Sequence, residues 1–512
     1  MNLNDFKICF ITSVLLALSF PPFPGGVLVP VALALFLNHI AKKEPKAAFR
    51  LGYAMGFFWA VFTLFWIASN TFAGAALAIL INPLHYAIIW WLFGKIHRRN
   101  ESLALWSFPV LWTAAEYLRH FSDLRFNWMN IAHTQTYYLP FIQFIEWTGY
   151  LGITLLLGFM SIFLYMVLYK KQNLIRNLIG LSILIILPLL YGGIRLNVLG
   201  KKNFRTLEVG VVQPNMDPFK KWDSQFQDST FRILKNSTYK LRNADLVVWP
   251  ETATPFYLRY KPNYLFQVYH IVDSLNIYLI TGTPDVKYVN DDDYVTYNSA
   301  FFFSPNRRNF ESYNKIALVP AAESMPFKNA FPFLRKLDVG GGDFFPGIEF
   351  KVFTLKTNLR EHKIKAISAK DSLANSEVKV ATVICFDSVF PNIVRQFVRN
   401  GARILTIITN DAWFGNTSGP YQHAQYAVLR AIENRVSIAR SANTGISMFI
   451  DPTGGKHQVA GLQKQAEIIC DLPVTRGLTF YSRYGGWLGI LCLAMSMLVI
   501  IYAFLKKEQI SA

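Results

Sequence analysis

The chain has 512 residues, which is too long for one ordinary domain and predicts two or three. Hydrophobic residues make up 52% and charged residues only 16%, whereas a soluble protein carries about a quarter charged residues. This deficit argues against a wholly water-soluble protein and predicts membrane segments. The net charge is +19, and many of the basic residues lie at the ends of apolar segments, where they orient helices in a bilayer. No basic tract with interleaved aromatic residues indicates nucleic-acid binding.

Apolar segments cluster at the two ends of the chain. They cover residues 8–20, 27–40, 51–69, 73–93, 102–118, 147–169, 177–194 and 485–505. We therefore expect an N-terminal transmembrane domain of about seven helices over residues 1–195, and a C-terminal transmembrane helix with its tail over 484–512. The first segment could instead belong to a signal peptide. However, PPFPGG is not a small-residue cleavage site and a second apolar segment follows at once, which favours a retained hairpin.

Basic residues predict the orientation of these helices. With the N-terminus in the cytoplasm, the inside loops hold Lys7, Lys42, Lys43, Lys46, Arg50, Lys95, Arg98, Arg99, Lys170, Lys171, Arg176, Lys506 and Lys507. The short outside loops hold only Arg119 and Arg125. Because positive charge accumulates on the cytoplasmic side, the region from about residue 200 to 480 is expected outside the cytoplasm.

That middle region, residues 196–483, has the pattern of an α/β layered domain. Short β-branched segments end in polar, Pro- or Gly-containing turns, and they predict strands over 207–213, 246–249, 277–281, 378–385 and 404–409. Residues 420–438 are predicted to form a helix, and residues 338–376 are predicted to be loop-like. The outside loop 119–146, which is rich in aromatic residues, is a second candidate for lining a site.

Three side chains in the α/β region carry catalytic chemistry. Cys385 ends a predicted strand, Glu251 follows another strand across the turn-forming Pro250, and Lys315 precedes an apolar segment. Each has an ordinary alternative: a buried structural thiol, a solvated loop carboxylate and a surface lysine. Together they supply a nucleophile, a base and a cation that favours a thiolate and stabilises an oxyanion. The four cysteines have no metal-type spacing, so we expect neither a metal nor a cofactor.

The motifs WPET, NKIALVP, VICFD and TNDAWFG, in this order, resemble the nitrilase superfamily. Membrane segments on both sides make the chain similar to one branch, the apolipoprotein N-acyltransferases. The segments SFPPFP, FNWMNIAHTQ, QPN followed by Lys221-Trp222-Asp223, and residues 419–447 agree with this branch. The resemblance covers nearly the whole chain. It implies a multi-pass membrane domain joined to an αββα sandwich outside the cytoplasm.

The resemblance also implies roles for individual residues. Glu251 matches the base, Lys315 the catalytic lysine and Cys385 the nucleophile. The matching supporting or substrate-binding positions are Glu323, Trp222, Phe386, Asp387 and Trp413. Two departures stand out, because the family usually has Pro-Phe-Gly-Glu where this chain has PAAE, and Cys-Tyr-Glu where it has CFD.

The activity implied by the resemblance is a two-step acyl transfer in the bacterial inner membrane, with the catalytic domain on the periplasmic side. The sn-1 acyl chain of a phospholipid passes through a Cys thioester to the N-terminal amine of a diacylglyceryl-cysteine, the last step of lipoprotein maturation. The expected partners are the phospholipid donor, the diacylated apolipoprotein acceptor and the bilayer, and not a nucleic acid. The alternatives are a membrane-tethered amidase or nitrile hydrolase, and a transporter or lipid-binding protein with an inactive domain. For transport, Glu116 and Glu146 are the nearest intramembrane charges.

Overall fold

The structure is a computed structural model, and it describes residues 1–121, 123, 125–202, 204–290, 293–328, 330, 331, 333, 343–356 and 377–505. The chain divides into two compact units. One unit comprises Met1–Val198 and Tyr484–Ala512, and the other comprises Leu199–Arg483.

The first unit is helical, and the second alternates strands with helices. The α-helices are α1 Leu3–Leu18, α2 Leu28–Ile40, α3 Pro45–Leu64, α4 Phe72–Ile81, α5 Pro83–His97, α6 Glu101–Leu118, α7 Leu139–Ile142, α8 Ile145–Thr148, α9 Leu151–Tyr165, α10 Leu174–Gly200, α11 Gln227–Lys240, α12 Pro262–Leu275, α13 Pro391–Arg399, α14 Ser418–Asn434, α15 Phe480–Tyr484 and α16 Trp487–Leu505. The strands are β1 Arg205–Gln213, β2 Leu246–Val248, β3 Tyr278–Tyr288, β4 Tyr294–Phe303, β5 Phe310–Asn314, β6 Phe353–Lys356, β7 Glu377–Ile384, β8 Ile404–Thr409, β9 Ser437–Ala442, β10 Ser447–Ile450, β11 Lys456–Ala460 and β12 Ala466–Val474.

Every apolar segment expected from the sequence is helical in the first unit. Among the described residues, the stretches long and apolar enough to cross a membrane are Pro45–Ser69, Phe72–His97, Leu151–Lys170, Leu174–Gly200 and Trp487–Leu505. Helix α2 is apolar but shorter, and α1 and α6 have 16 and 18 residues. The expectation of a multi-pass helical domain is therefore confirmed by several apolar helices of spanning length.

Glu116 and Glu146, the nearest intramembrane charges for a transporter, both accept hydrogen bonds within the helical unit. The Glu116 carboxylate accepts hydrogen bonds from Trp112 Nε1 at 3.1 Å, from the Ile131 backbone N at 2.9 Å and from Thr154 Oγ1 at 2.6 Å. Glu146 accepts from Arg195 Nε at 2.7 Å. Glu116 therefore connects α6 and α9 to the segment that begins at Asn127.

That segment is part of the loop 119–146, and residues 125–146 of the loop pack within the helical unit. Asn127, Asn130, His133 and Thr134 are fully buried. Buried polar groups persist only when they are hydrogen-bonded, and the Arg119 guanidinium supplies part of the network by donating to the side chain of Asn130 and to other groups. In this unit the loop is a packed polar element.

Substitution of Glu116 by Ala should destabilise the helical unit. It removes the acceptor of three buried donors, and each unsatisfied group costs about 1–3 kcal/mol. We expect a clear fall in the thermal unfolding midpoint of the detergent-solubilised protein. Glu101→Ala on the same helix is the matched control, because the Glu101 side chain is 47% exposed and exposed ion pairs contribute little. Equal midpoints for the two variants would contradict the role of Glu116.

The second unit contains two six-stranded sheets. Their orders are β12-β1-β2-β3-β4-β5 and β11-β10-β9-β8-β7-β6. In each sheet three central strands are parallel, β1-β2-β3 in one and β7-β8-β9 in the other, and antiparallel strands flank them on both sides. The carboxyl ends of parallel strands lie at one edge of a sheet, so the turns that follow β2, β7 and β8 are where functional groups collect.

The sheets pack face to face between layers of helices. Strand β1 contacts β9, where Ser441 Oγ donates to Val212 O at 2.9 Å. Helices α11 and α12 cover the outer face of the first sheet, where Leu234 and Ile271 pack with Val247 in a buried core. Helix α14 contacts β9 and β10 of the second sheet. The αββα arrangement implied by the resemblance is confirmed.

The structure corrects several of the sequence-based boundaries. The helix expected over 420–438 ends at Asn434, because Arg435 takes a left-handed conformation with φ 50° and β9 begins at Ser437. The region 338–376 is not wholly loop-like, since β6 pairs with β7 through the alternation of buried Phe353 and Leu355. Residues 338–342 and 357–376 lie outside the described residues. Strand β3 extends well beyond 281, and β7 ends one residue before Cys385.

Candidate active site

The three expected catalytic side chains come from three separate strand ends. Glu251 follows β2 by a short turn, Lys315 directly follows β5, and Cys385 directly follows β7. Glu251 and Lys315 belong to the first sheet and Cys385 to the second. The structure brings them together, because Lys315 Nζ lies 3.4 Å from Glu251 Oε1 and the charges of both residues act on the Cys385 thiol.

The Glu251 carboxylate is buried, and both of its oxygens accept hydrogen bonds. Its Oε2 accepts a hydrogen bond from the backbone N of Asn410 at 2.8 Å. Its Oε1 accepts from Asn298 Nδ2 at 2.7 Å and from Lys315 Nζ at 3.4 Å. Asn410 follows β8 of the second sheet, so this one carboxylate bridges the two sheets. Its backbone also lies close to β3, since a Cβ on Gly282 would be only 2.6 Å from Glu251 Cα.

Lys315 lies between two carboxylates. Its Nζ donates to Glu323 Oε1 at 2.8 Å, closer than to Glu251, and the side chain is 1% exposed. Burial lowers the pKa of Lys315, but the charges of Glu323 and Glu251 outweigh it and hold the pKa well above its usual value. The lysine is therefore an ammonium at neutral pH. Glu323 is fixed in turn by the backbone N of Val319, which donates to its Oε2 at 2.9 Å.

Asn298 is a site residue that the sequence did not single out. Its Nδ2 donates to Glu251 Oε1 at 2.7 Å and to Glu323 Oε1 at 3.1 Å, and its backbone O accepts from the Lys315 N at 2.9 Å. It lies inside β4, not at a strand end, so position along the chain gave no signal. One amide thus holds the two carboxylates in a fixed relation to the ammonium.

Cys385 occupies a sharp turn between β7 and the 3₁₀ helix Cys385–Val389. Its φ is 48°, in the left-handed region that side chains with a Cβ rarely adopt. The turn is held at the Cys385 carbonyl, which accepts from Ser388 Oγ at 2.6 Å and lies 3.2 Å from His423 Nε2. The conformation turns the chain abruptly at the end of the strand, and the residue as a whole is only partly buried.

The surroundings of Cys385 favour the neutral form of its thiol in the resting site. Burial raises the pKa of the Cys385 thiol well above its usual value, and the Glu251 carboxylate raises it further. Lys315 lowers the pKa, but by less than these two effects raise it. The resting group is therefore a neutral thiol that needs a base when it reacts.

Asp387 connects the cysteine turn to the lysine segment. Its Oδ2 accepts from Tyr313 Oη at 2.6 Å, and its Oδ1 accepts from the backbone N of Ala317 at 2.6 Å. Tyr313 and Ala317 flank Lys315, so the carboxyl group ties the Cys385 turn of the second sheet to the Lys315 segment of the first. Burial raises the pKa of Asp387 to about 6, although the hydrogen bond from Tyr313 opposes the shift.

A second buried network lies behind the cysteine turn. His423 Nδ1 is 2.8 Å from Asp411 Oδ1, and Arg440 Nη2 donates to Asp411 Oδ2 at 2.8 Å. Burial alone would raise the pKa of Asp411, but the charges of Arg440 and His423 hold it well below its usual value. The network connects the Cys385 carbonyl to β9. Asp411 lies in the TNDAWFG motif, but the partners His423 and Arg440 were not identified from the sequence.

The aromatic candidates differ in their surroundings. Trp222 is 42% exposed, and its ring lies 5.4 Å from Lys221 Nζ. Trp413 is partly buried and packs edge-to-face on Phe219 at 5.2 Å between ring centroids. Phe386 is buried and packs on Phe390. In the part of the chain that the structure describes, no group of three or more His, Cys, Asp or Glu side chains is arranged to hold a metal ion.

The arrangement supports nucleophilic acyl chemistry. A fixed carboxylate can take the thiol proton, a permanent ammonium can stabilise the oxygen of an attacked carbonyl, and a thiol on a sharp turn can form a thioester. The fold and this cluster define a protein of the carbon-nitrogen hydrolase class, whose family model matches residues 208–476.

Comparison with known proteins identifies the family. Residues 12–163 match the apolipoprotein N-acyltransferase N-terminal domain. The chain is 33% identical to the apolipoprotein N-acyltransferase of Geobacter metallireducens, over 99% of this chain and 96% of that one. It is 29% identical to the enzyme of the same name from Chlorobaculum tepidum, over 99% and 97% of the two chains. The chain belongs to the apolipoprotein N-acyltransferase family. Among solved structures, an amidase from Nesterenkonia sp. AN1 has a TM-score of 0.38 and 15% identity, over 55% of this chain and 94% of that one.

The raised pKa of Asp387 predicts a pH dependence of stability. With the folded pKa at about 6 and the ordinary value at 3.8, the folded state binds more protons than the unfolded state between pH 4 and 6. The free energy of unfolding should therefore fall as pH rises through this window, by up to about 3 kcal/mol from this group. Asp387→Asn cannot ionise, so the difference between its midpoint and that of the wild type should change across pH 4–6. A constant difference would contradict a buried, proton-binding Asp387.

Proposed function

We propose that this chain transfers an acyl chain from the sn-1 position of a phospholipid, through a thioester on Cys385, to the N-terminal amine of a diacylglyceryl-cysteine on an apolipoprotein. Family membership supports the reaction class. One observation supports the assignment of residues: the Glu251 carboxylate, the Lys315 ammonium and the Cys385 thiol meet in one buried cluster. Glu323 supports the cluster by accepting from Lys315 Nζ, and Asp387 by accepting from Tyr313 and Ala317 beside Lys315.

In the first step, Glu251 takes the thiol proton as the sulfur attacks the ester carbonyl carbon of the phospholipid. Lys315 Nζ stabilises the oxyanion. Its hydrogen bonds to Glu251 and Glu323 use two of its three N–H groups, and the third donates to the oxyanion. When the tetrahedral intermediate collapses, the ester C–O bond breaks. The departing oxygen takes the proton from Glu251. The products are a lysophospholipid and an acyl thioester on Cys385.

In the second step, the neutral α-amine of the acceptor attacks the thioester carbonyl. Glu251 accepts a proton from the attacking nitrogen, and Lys315 again stabilises the oxyanion. The C–S bond breaks, and Glu251 returns the proton to the sulfur. The product is an N-acylated lipoprotein, and the enzyme is restored with a neutral thiol.

The chemistry of the substrates and the charge of the loops support a location in a membrane. Both substrates carry acyl chains that lie in a bilayer, and several helices of the first unit are apolar and long enough to span one. The excess of basic residues in alternate loops supports the bacterial inner membrane with the N-terminus inside. Residues 196–483 would then lie on the periplasmic side, where lipoproteins are matured.

Substitution of Cys385 by Ala should abolish both the thioester and the N-acylated product. The purified protein would be incubated with a phospholipid of defined sn-1 chain, and the acyl adduct measured by intact mass. Cys470→Ala is the matched control, since Cys470 is a half-buried thiol on β12 and should leave the adduct unchanged. An acyl adduct on the Cys385→Ala protein, or full activity, would refute the assignment.

Release of lysophospholipid should depend on the amine acceptor. Without acceptor, we expect release to stop after about one equivalent per enzyme, because the thioester is not resolved by water. A diacylated lipopeptide with a free N-terminus should restore turnover. The same lipopeptide acetylated at its N-terminus should not. Continued turnover without any amine would instead identify a membrane-tethered hydrolase with the same three side chains.

A further inference from the structure

Lys221 is a buried lysine next to the site, and the proposed mechanism does not use it. It is only 2% exposed. Its Nζ donates to Thr252 O at 2.8 Å and to Thr252 Oγ1 at 2.7 Å. Among the described residues, no carboxylate lies within ion-pair distance of Nζ. A buried amine without an ion-pair partner is unfavourable, which suggests that these two hydrogen bonds have a specific role.

Thr252 directly follows Glu251, and its backbone is strained. Its φ is 47°, in the left-handed region that residues with a Cβ rarely adopt. The same turn lies against the backbone of β3, because a Cβ at Gly282 would lie 2.7 Å from Thr252 N and 2.6 Å from Pro250 O. Thr252 is therefore a strained residue bonded directly to the Glu251 backbone.

We propose that Lys221 is a positioning residue that holds the Thr252 backbone in its left-handed conformation and thereby aims the Glu251 carboxylate at the Cys385 thiol. The inference deepens the proposed function and rests on Glu251 being the base. The Lys221 amine donates to both acceptors of Thr252, the backbone carbonyl and the side-chain hydroxyl. That double contact restrains both the backbone and the side chain of Thr252, which a single hydrogen bond would not achieve.

The charge state of Lys221 agrees with this role. Burial lowers the pKa of Lys221 to about 7, although the Glu251 carboxylate opposes the shift. A neutral amine has two N–H donors, which match the two acceptors on Thr252. Near neutral pH, Lys221 can therefore keep both hydrogen bonds to Thr252 without a full positive charge that would compete with Lys315 for Glu251.

The test is a single-turnover measurement of thioester formation on the full-length protein across phospholipid concentrations. Lys221→Met keeps the length and loses the amine. We expect its maximal rate to fall by roughly 10-fold to 100-fold, as for a misaligned base, while the half-saturating phospholipid concentration stays unchanged. Lys220→Met is the matched control, because Lys220 is the exposed neighbour in the same turn, and its rate should equal that of the wild type.

Thr252→Gly separates positioning from general stability. Glycine adopts the left-handed region without penalty, so adding Thr252→Gly to Lys221→Met should recover a large part of the rate. An unchanged rate in Lys221→Met would overturn the inference. So would a loss that follows the thermal midpoint and is not recovered by Thr252→Gly. Cys385→Ala run in parallel tests the proposed function separately, because an acyl adduct on that variant would refute the mechanism whatever Lys221 does.

Discussion

The Glu251 carboxylate is the interaction on which the site depends. It belongs to a turn of the first sheet, yet one of its oxygens accepts from the backbone of Asn410 in the second sheet. The other oxygen accepts from Asn298 and Lys315. The link continues through Asn443, whose Nδ2 donates to Asn410 Oδ1 at 3.1 Å and to Met216 O at 2.8 Å. The two sheets must pack in this relative position for both oxygens of the carboxylate to be hydrogen-bonded. The packing of the sandwich therefore determines the geometry of the cluster.

The sequence predicts the parts of the site that lie at strand ends. Glu251 and Cys385 each follow a β-branched segment, Lys315 precedes an apolar one, and their order along the chain is the pattern of a known family. Asn298 has no such signal, because it lies within β4, and only the pairing of β4 with β3 and β5 brings it between the carboxylates. A contact that depends on pairing register cannot be found from local pattern alone.

The same limit explains the boundary errors. Strand β9 is fully buried but has the sequence SIARSA, which lacks the apolar run expected of a central strand. Its Arg440 is tolerated because Asp411 and the Ile446 carbonyl accept its hydrogen bonds. Without knowledge of those partners, the polar residues are more consistent with the end of a helix, and the helix predicted from the sequence therefore extends to residue 438. Hydrogen bonds from residues distant in sequence therefore allow polar side chains in a buried strand here, although the local sequence does not favour a strand.

The balance of charge in the cluster explains why a neutral thiol and a carboxylate base belong together. Glu251 and Glu323 carry two negative charges and Lys315 one positive charge, so the buried cluster already has an excess negative charge. Loss of the thiol proton to solvent would add a second one in a poorly solvated site, which is unfavourable. Transfer of the proton from Cys385 to Glu251 moves the charge and does not increase it. Lys315, already hydrogen-bonded to both carboxylates, stays close to the charge before and after the transfer. The reaction therefore needs an accurately aimed carboxylate more than a strongly acidic thiol, and the buried contacts around Glu251 supply that aim.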